Sequence, residues 1–199
     1  RLSFEWFIDD LLASNTADYR RLLLADEVHL NGRLAKFYGV DLPGDAPFQK
    51  GKFEADRRSG VLTHPYLLAA FAYSGASSPI HRGVFVARGI LGVPLKPPQD
   101  AFTPLAEELH PKLTTRERVA LQTKAANCQG CHATINALGF TLEHFDATGR
   151  FRDKDNDKPV DASGSYEDRD GKTTTFRGAK ELARYLAGSE EAHAAFAEQ

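Results

Sequence analysis

The sequence predicts a mainly α-helical chain with one short β-hairpin near its C-terminal end. Apolar residues recur at helical spacing through most of the 199 residues, and helix-start signals stand at Pro65, at Ser78-Pro79 and at Thr114 with Glu117. Only Val160 to Tyr166 and Thr173 to Phe176 read as strands, joined across Asp170-Gly171.

The first helix is amphipathic: Phe4, Phe7, Ile8, Leu11 and Leu12 share a face, and Asp9 and Asp10 fall off it. Asn15 and Thr16 break it, and Asp18 or Thr16 can cap a short second helix through Leu24. A third helical stretch is expected from Val28 to Tyr38, with Leu30, Leu34 and Ala35 inward. From Gly39 to Gly60, Pro43-Gly44, Pro47 and Arg57-Arg58 read as a loop or boundary. Helices resume at Pro65 with Leu67, Leu68 and Phe71, and again at Ser77-Ser78-Pro79 with Val84, Phe85, Ile90 and Leu91, ending at Gly92. Pro94, Pro97 and Pro98 mark an extended crossing. The capping box of Thr114 and Glu117 starts a helix from Thr115 towards the cysteines. Phe151 to Asp157 is polar. Ala179, Leu182, Ala183 and Leu186 close the chain on one helical face, followed by a short helix after Ser189.

The chemistry concentrates in Cys128-Gln129-Gly130-Cys131-His132, which holds both cysteines of the chain. Cys-x-x-Cys-His is the attachment signature of a c-type haem: two thiols bond the porphyrin and the adjacent imidazole becomes an axial iron ligand. A thioredoxin-like pair would want a strand leading into the motif, whereas Thr115 to Asn127 looks helical. A structural zinc site would normally want four ligands, and no second cysteine pair exists. An inert disulfide is the remaining alternative.

Composition limits the partners. A net charge of −2 gives no reason to expect nucleic acid, and no run has the length of a membrane span. The chain contains no methionine, so it is expected to be a processed or excised piece of a longer product, and a sixth iron ligand cannot be methionine sulfur. A covalent haem implies maturation outside the cytoplasm, hence a periplasmic or other extracytoplasmic location.

The remaining histidines are candidates for the distal position. His64, held before a helix-starting proline, is the first and His81 the second. His29 and His193 lie in outlying helices, His110 in a proline-flanked loop, and His144 a short distance past His132. His81, Arg82 and Arg116 are candidates for the haem propionates. Asp153, Asp155 and Asp157 begin like a calcium loop, but Lys158 and Gly164 stand where glycine and glutamate are required, so a solvated turn is the better reading. Glu143 and Asp146 are assigned structural hydrogen bonding. No hydrolase triad or phosphate loop is visible, so no catalytic residue is assigned.

Several runs are shared beyond the pentapeptide. Gly60-Val61-Leu62-Thr63-His64-Pro65, Ser78-Pro79-Ile80-His81-Arg82-Gly83 and the run from Gly139 to Arg150 resemble a planctomycete-type family of large exported proteins. These carry cytochrome c-like segments and adjoining domains of unknown function. The opening through Tyr38-Gly39 resembles the domain before the haem region. Val160 to Gly164 and Phe176-Arg177-Gly178 resemble the one after it. One departure stands out: Asn136-Ala137 replaces an acidic or amide residue followed by proline. A backbone carbonyl near Asn136 or Ala137 is the expected acceptor for the second ring N–H of His132.

The resemblance implies a cytochrome c-like single-haem helical domain over residues 57–155, between an N-terminal helical segment (1–56) and a hairpin-plus-helix extension (156–199). The expected function is electron transfer within a larger exported protein, to a redox partner protein or domain. A haem enzyme or small-ligand sensor with an open iron site is the alternative, and a non-haem interaction module the third.

Overall fold

The computed structural model describes residues 1–14, 18–53, 56–95 and 110–198. Helix α1 (Leu2–Leu12) leads through α2 (Arg20–Leu24) into strand β1 (Glu27–Leu30), followed by α3 (Gly32–Tyr38) and β2 (Gln49–Lys52). A 3-10 turn at Val61–Thr63 precedes α4 (Pro65–Ala70), and α5 (Pro79–Val84) runs on into a π-helical stretch, Phe85–Ile90. Then come α6 (Thr115–Gln122), α7 (Ala126–Phe140), the hairpins β3–β4 (Lys154–Asp155, Lys158–Pro159) and β5–β6 (Gly164–Glu167, Thr173–Phe176), α8 (Ala179–Gly188) and α9 (Glu190–Glu198).

The expected mainly α, single-haem cytochrome c-like architecture is overturned. Among the described residues helices take up about 48%, and three two-stranded antiparallel sheets accompany them. Among the described residues no group of three or more His, Cys, Asp or Glu side chains gathers to hold a metal ion.

The first missed sheet has a clear cause. Val28 and Leu30 pack with Ala35, Leu34, Val40, Leu42 and Phe53 in a small separate core. His29, between them, turns the other way, with its Nε2 3.0 Å from Asp10 Oδ2 and its ring edge-on to Trp6 of α1. That alternation is a strand's, buried on both faces, and it supplies apolar residues that a helix reading absorbs without contradiction. The helix begins only after Asn31, whose side chain accepts from Leu34 N–H. The second missed sheet is the tight β3–β4 hairpin, turned by Asn156 and Asp157, both at positive φ. Asn and Asp tolerate that conformation, which a two-residue hairpin requires.

Other expectations hold. Thr114 and Glu117 make both bonds of the capping box, and Gly171 at φ 79° turns the β5–β6 hairpin. The helix from Thr115 stops short of the cysteines: Thr123 to Ala125 interrupt it, and α7 starts afresh at Ala126. The extended crossing at Pro97 and Pro98, and the Asn15–Thr16 break, lie outside the described residues.

The main core joins Leu23 and Leu62 to Val86, Leu91, Leu138 and Phe145, and to Leu182 and Leu186 of α8. It therefore draws on both ends of the chain as well as its middle. Within it α5 and α7 meet backbone to backbone. A Cβ on Gly83 would strike the Ile135 carbonyl oxygen, and one on Gly139 would strike the Pro79 carbonyl oxygen. No helix of the described residues is long and apolar enough to cross a membrane.

Candidate functional site

Cys128, Cys131 and His132 lie in the first turns of α7, where spacings of three and four residues bring side chains to one sector of the helix. Both thiols are free and half-buried. His132 stands at the edge of a cleft of about 680 Å³, lined along α7 by Gln129, His132, Asn136 and Phe140, and opposite by Ser163, Gly164, Ser165, Thr175 and Phe176. The cysteines occupy the neighbouring stripe of the helix, outside the cleft lining. Gly164 explains how the β5–β6 sheet comes so close: a Cβ there would meet the Ala137 carbonyl oxygen.

The imidazole is anchored from behind. His132 Nδ1 lies 3.1 Å from Asn136 Oδ1, and Asn136 Nδ2 donates to Thr123 Oγ1 at 2.8 Å. Thr123 Oγ1 in turn donates to the Val119 carbonyl at 2.8 Å. The Thr123 carbonyl also accepts from the Gln129 side chain. The break between α6 and α7 thus grips the motif helix at two points. Asn136 is the residue expected to neighbour the ring, but its side-chain carbonyl takes the place of the expected backbone carbonyl. The signal was available: on a helix, residues four apart face each other.

The other candidates scatter. His64 is 4% exposed, and its Nδ1 accepts from Tyr66 N–H, capping α4. Its ring packs on Phe4 and Phe7 of α1, and it does not line the cleft. Burial, with the N-terminal amine and Arg58 adding repulsion, pushes its imidazolium pKa down to about 3. His81 is exposed beside Tyr73, also away from the cleft.

Arg82, expected at a propionate, is instead 1% exposed inside the fold. Its terminal nitrogens donate to the carbonyls of Leu142, Phe145, Leu68 and Asp146, and Nη1 lies 3.7 Å from Glu143. Glu143, 2% exposed, also pairs with Arg152 at 2.9 Å and accepts from Ser77. Burial pushes its carboxyl pKa up, against the pull of the two arginines. Asp146 accepts from Thr148 and Arg150 backbone N–H groups. Both carboxylates are structural, as expected for that run.

Arg116 alone of the expected anion-binding residues reaches the cleft. It crosses the Phe140 ring at 4.3 Å and is tethered to Asp161 and Ser163. Lys124 and Arg177 complete a basic rim that composition could not single out. His110 follows an undescribed stretch, His144 Nδ1 lies 2.9 Å from the Arg152 carbonyl oxygen, and His193 Nε2 lies 3.0 Å from that of Ala187. Asp155 of the calcium-like run is spent on Arg152 and on the Thr115 N–H.

The span that carries these residues has a counterpart in known families. Residues 58–155 match the PSCyt3 family model, described as a protein of unknown function (DUF1588). PSCyt3 is a planctomycete cytochrome-like domain of unknown function, and the match covers just under half of the chain. It contains the pentapeptide, His64, Arg82 and the α5–α7 contact. No curated protein and no solved structure matches the chain.

Proposed function

We propose that Cys128 and Cys131 carry one covalently bound haem, with His132 as its axial iron ligand, and that the chain serves as an electron-transfer module. The observation that carries this reading is the placement of two free thiols and an imidazole in one sector of α7. The residues fit the group. The thiols are accessible, the imidazole is held by its Nδ1 side, and Arg116, Lys124 and Arg177 supply positive charge at the cleft edge. When bound, the group supplies a one-electron couple whose potential follows its axial ligands and burial. The chain's own residues orient the imidazole, shield one side with the β5–β6 sheet and offer cations to anionic edges. Attachment of such a group takes place outside the cytoplasm, so an extracytoplasmic location and a redox partner protein belong to the same proposal.

A second reading has its own support. Among the described residues lining the cleft, His132 is the sole histidine. An iron with an open sixth position would suit a small-ligand sensor or a haem enzyme.

Expression with export and c-type maturation tests the first reading. The denatured chain should retain the haem mass, and Cys128→Ser with Cys131→Ser should abolish it. An exported wild-type chain without that mass would sink the proposal. Ferrous spectra with and without carbon monoxide then separate the two uses, since a low-spin form indifferent to carbon monoxide belongs to electron transfer alone.

A further inference from the structure

The hydrogen bonds behind His132 run in one direction only, and that direction dictates the state of the imidazole. Thr123 has a single hydroxyl proton. Its oxygen lies 2.8 Å from the Val119 carbonyl oxygen, which can only accept, so the proton points there. Thr123 Oγ1 is left with lone pairs, and the Asn136 group facing it must be the amide NH₂, at 2.8 Å. The Asn136 carbonyl therefore faces His132 Nδ1 at 3.1 Å. An amide oxygen can only accept, so Nδ1 must carry the proton. Thr123 is 4% and Asn136 7% exposed, which leaves little room for water to replace either partner.

We propose that Asn136, oriented by Thr123, is a positioning residue that locks His132 as the Nδ1–H tautomer and keeps the Nε2 lone pair available to a metal. An imidazole that donates through one nitrogen to a fixed acceptor is held in orientation and becomes a stronger donor at the other. The side-chain device does the work for which the sequence suggested a backbone carbonyl. It also makes the strength of that bond depend on a residue outside the pentapeptide, at the C-terminus of α6. Gln129, bonded to the Thr123 carbonyl, holds the same corner, so the motif helix and its second support move together. The consequence for the iron rests on the haem reading; the tautomer itself does not.

The test has two arms. In the haem-free chain of residues 1–199, long-range ¹⁵N–¹H spectra of neutral His132 should report Nδ1–H in the wild type. Asn136→Ala should shift His132 towards the Nε2–H form favoured by free imidazole. Thr123→Val should move it in the same direction, and Asn136→Asp, which keeps an acceptor, should restore Nδ1–H. An Nε2–H tautomer in the wild type, or one unchanged by Asn136→Ala, overturns the proposal whatever the fate of the haem.

In the haem-loaded chain, Asn136→Ala should raise the reduction potential and lower the ferrous iron–histidine stretching frequency. Asn136→Asp should do the opposite. Loaded variants identical to wild type in both measurements would also overturn it. A wild-type chain that takes up no haem speaks against the electron-transfer reading alone, because the first arm still decides the tautomer.

Discussion

His64 shows most directly how burial of one ring becomes a property of the whole fold. It is neutral inside, with its pKa pushed from the ordinary 6.5 to about 3, whereas the unfolded chain binds a proton below 6.5. Between those values the unfolded state holds more protons, so the stability that His64 contributes is complete above 6.5 and is lost as pH falls towards 3. His64→Asn keeps an oxygen to cap α4 but cannot titrate. Urea titrations at several pH values should show its stability falling less steeply across that window, by up to about 1.4 kcal/mol per pH unit. An unchanged slope would mean the ring is not the group that couples. The same burial accounts for its place in the molecule. Phe4 and Phe7 cover the ring that the sequence offered as a second iron ligand. A histidine before a helix-starting proline looks equally suited to capping and to ligation, and only the packing of a distant helix tells them apart. Arg82 teaches the same point with charge. At a helix N-terminus it read as an anion-binding group, yet four carbonyls from two other parts of the chain surround it.

At the scale of elements, α7 is set by the two glycines that let α5 approach it. Gly83→Ala or Gly139→Ala places a methyl against a carbonyl oxygen of the facing helix. Each should cost about 1–3 kcal/mol, read as a lower urea midpoint at unchanged slope, with the double variant no worse than additive only if the helices part. Gly130→Ala, where nothing lies within reach of a Cβ, should be close to neutral or slightly stabilising. Helices with a strong signal of their own were legible: the amphipathic α1, the capping box of α6, and α8 with Leu182 and Leu186 on one face. The placing of the pentapeptide's thiols and imidazole on one helix was within reach of the sequence too, since these residues are adjacent in it. What escaped depends on partners far along the chain. β1 exists because β2 pairs with it and α1 covers its other side, and nothing in Val28-His29-Leu30 alone demands that. Asn156-Asp157 did carry a turn signal, but the strands it joins are two residues each, too short for any alternation to show. The cleft wall likewise comes from Ser163 to Phe176, brought to α7 by the fold.

The larger of the two apolar cores is one that the matched span does not fill by itself. Leu23 before it and Leu182, Leu186 and Phe176 after it are each 2% exposed or less and pack with Leu62, Leu91 and Leu138 within it. A fragment of residues 58–155 should therefore expose that surface, bind a hydrophobic dye and unfold with a broader transition than the chain of residues 1–199. A sharp, dye-silent transition for the fragment would show that the flanking parts are dispensable. The glycine contact has a further bearing on this. The pentapeptide is what catches the eye, yet it can be lost by a single base change at either cysteine without disturbing the backbone beneath it. Gly83 and Gly139 have no such freedom, because each answers to the other's helix. Genomic searches keyed to that glycine pair, rather than to the cysteines, should recover relatives that retain the architecture without the pentapeptide, and would separate inheritance of the scaffold from inheritance of the motif.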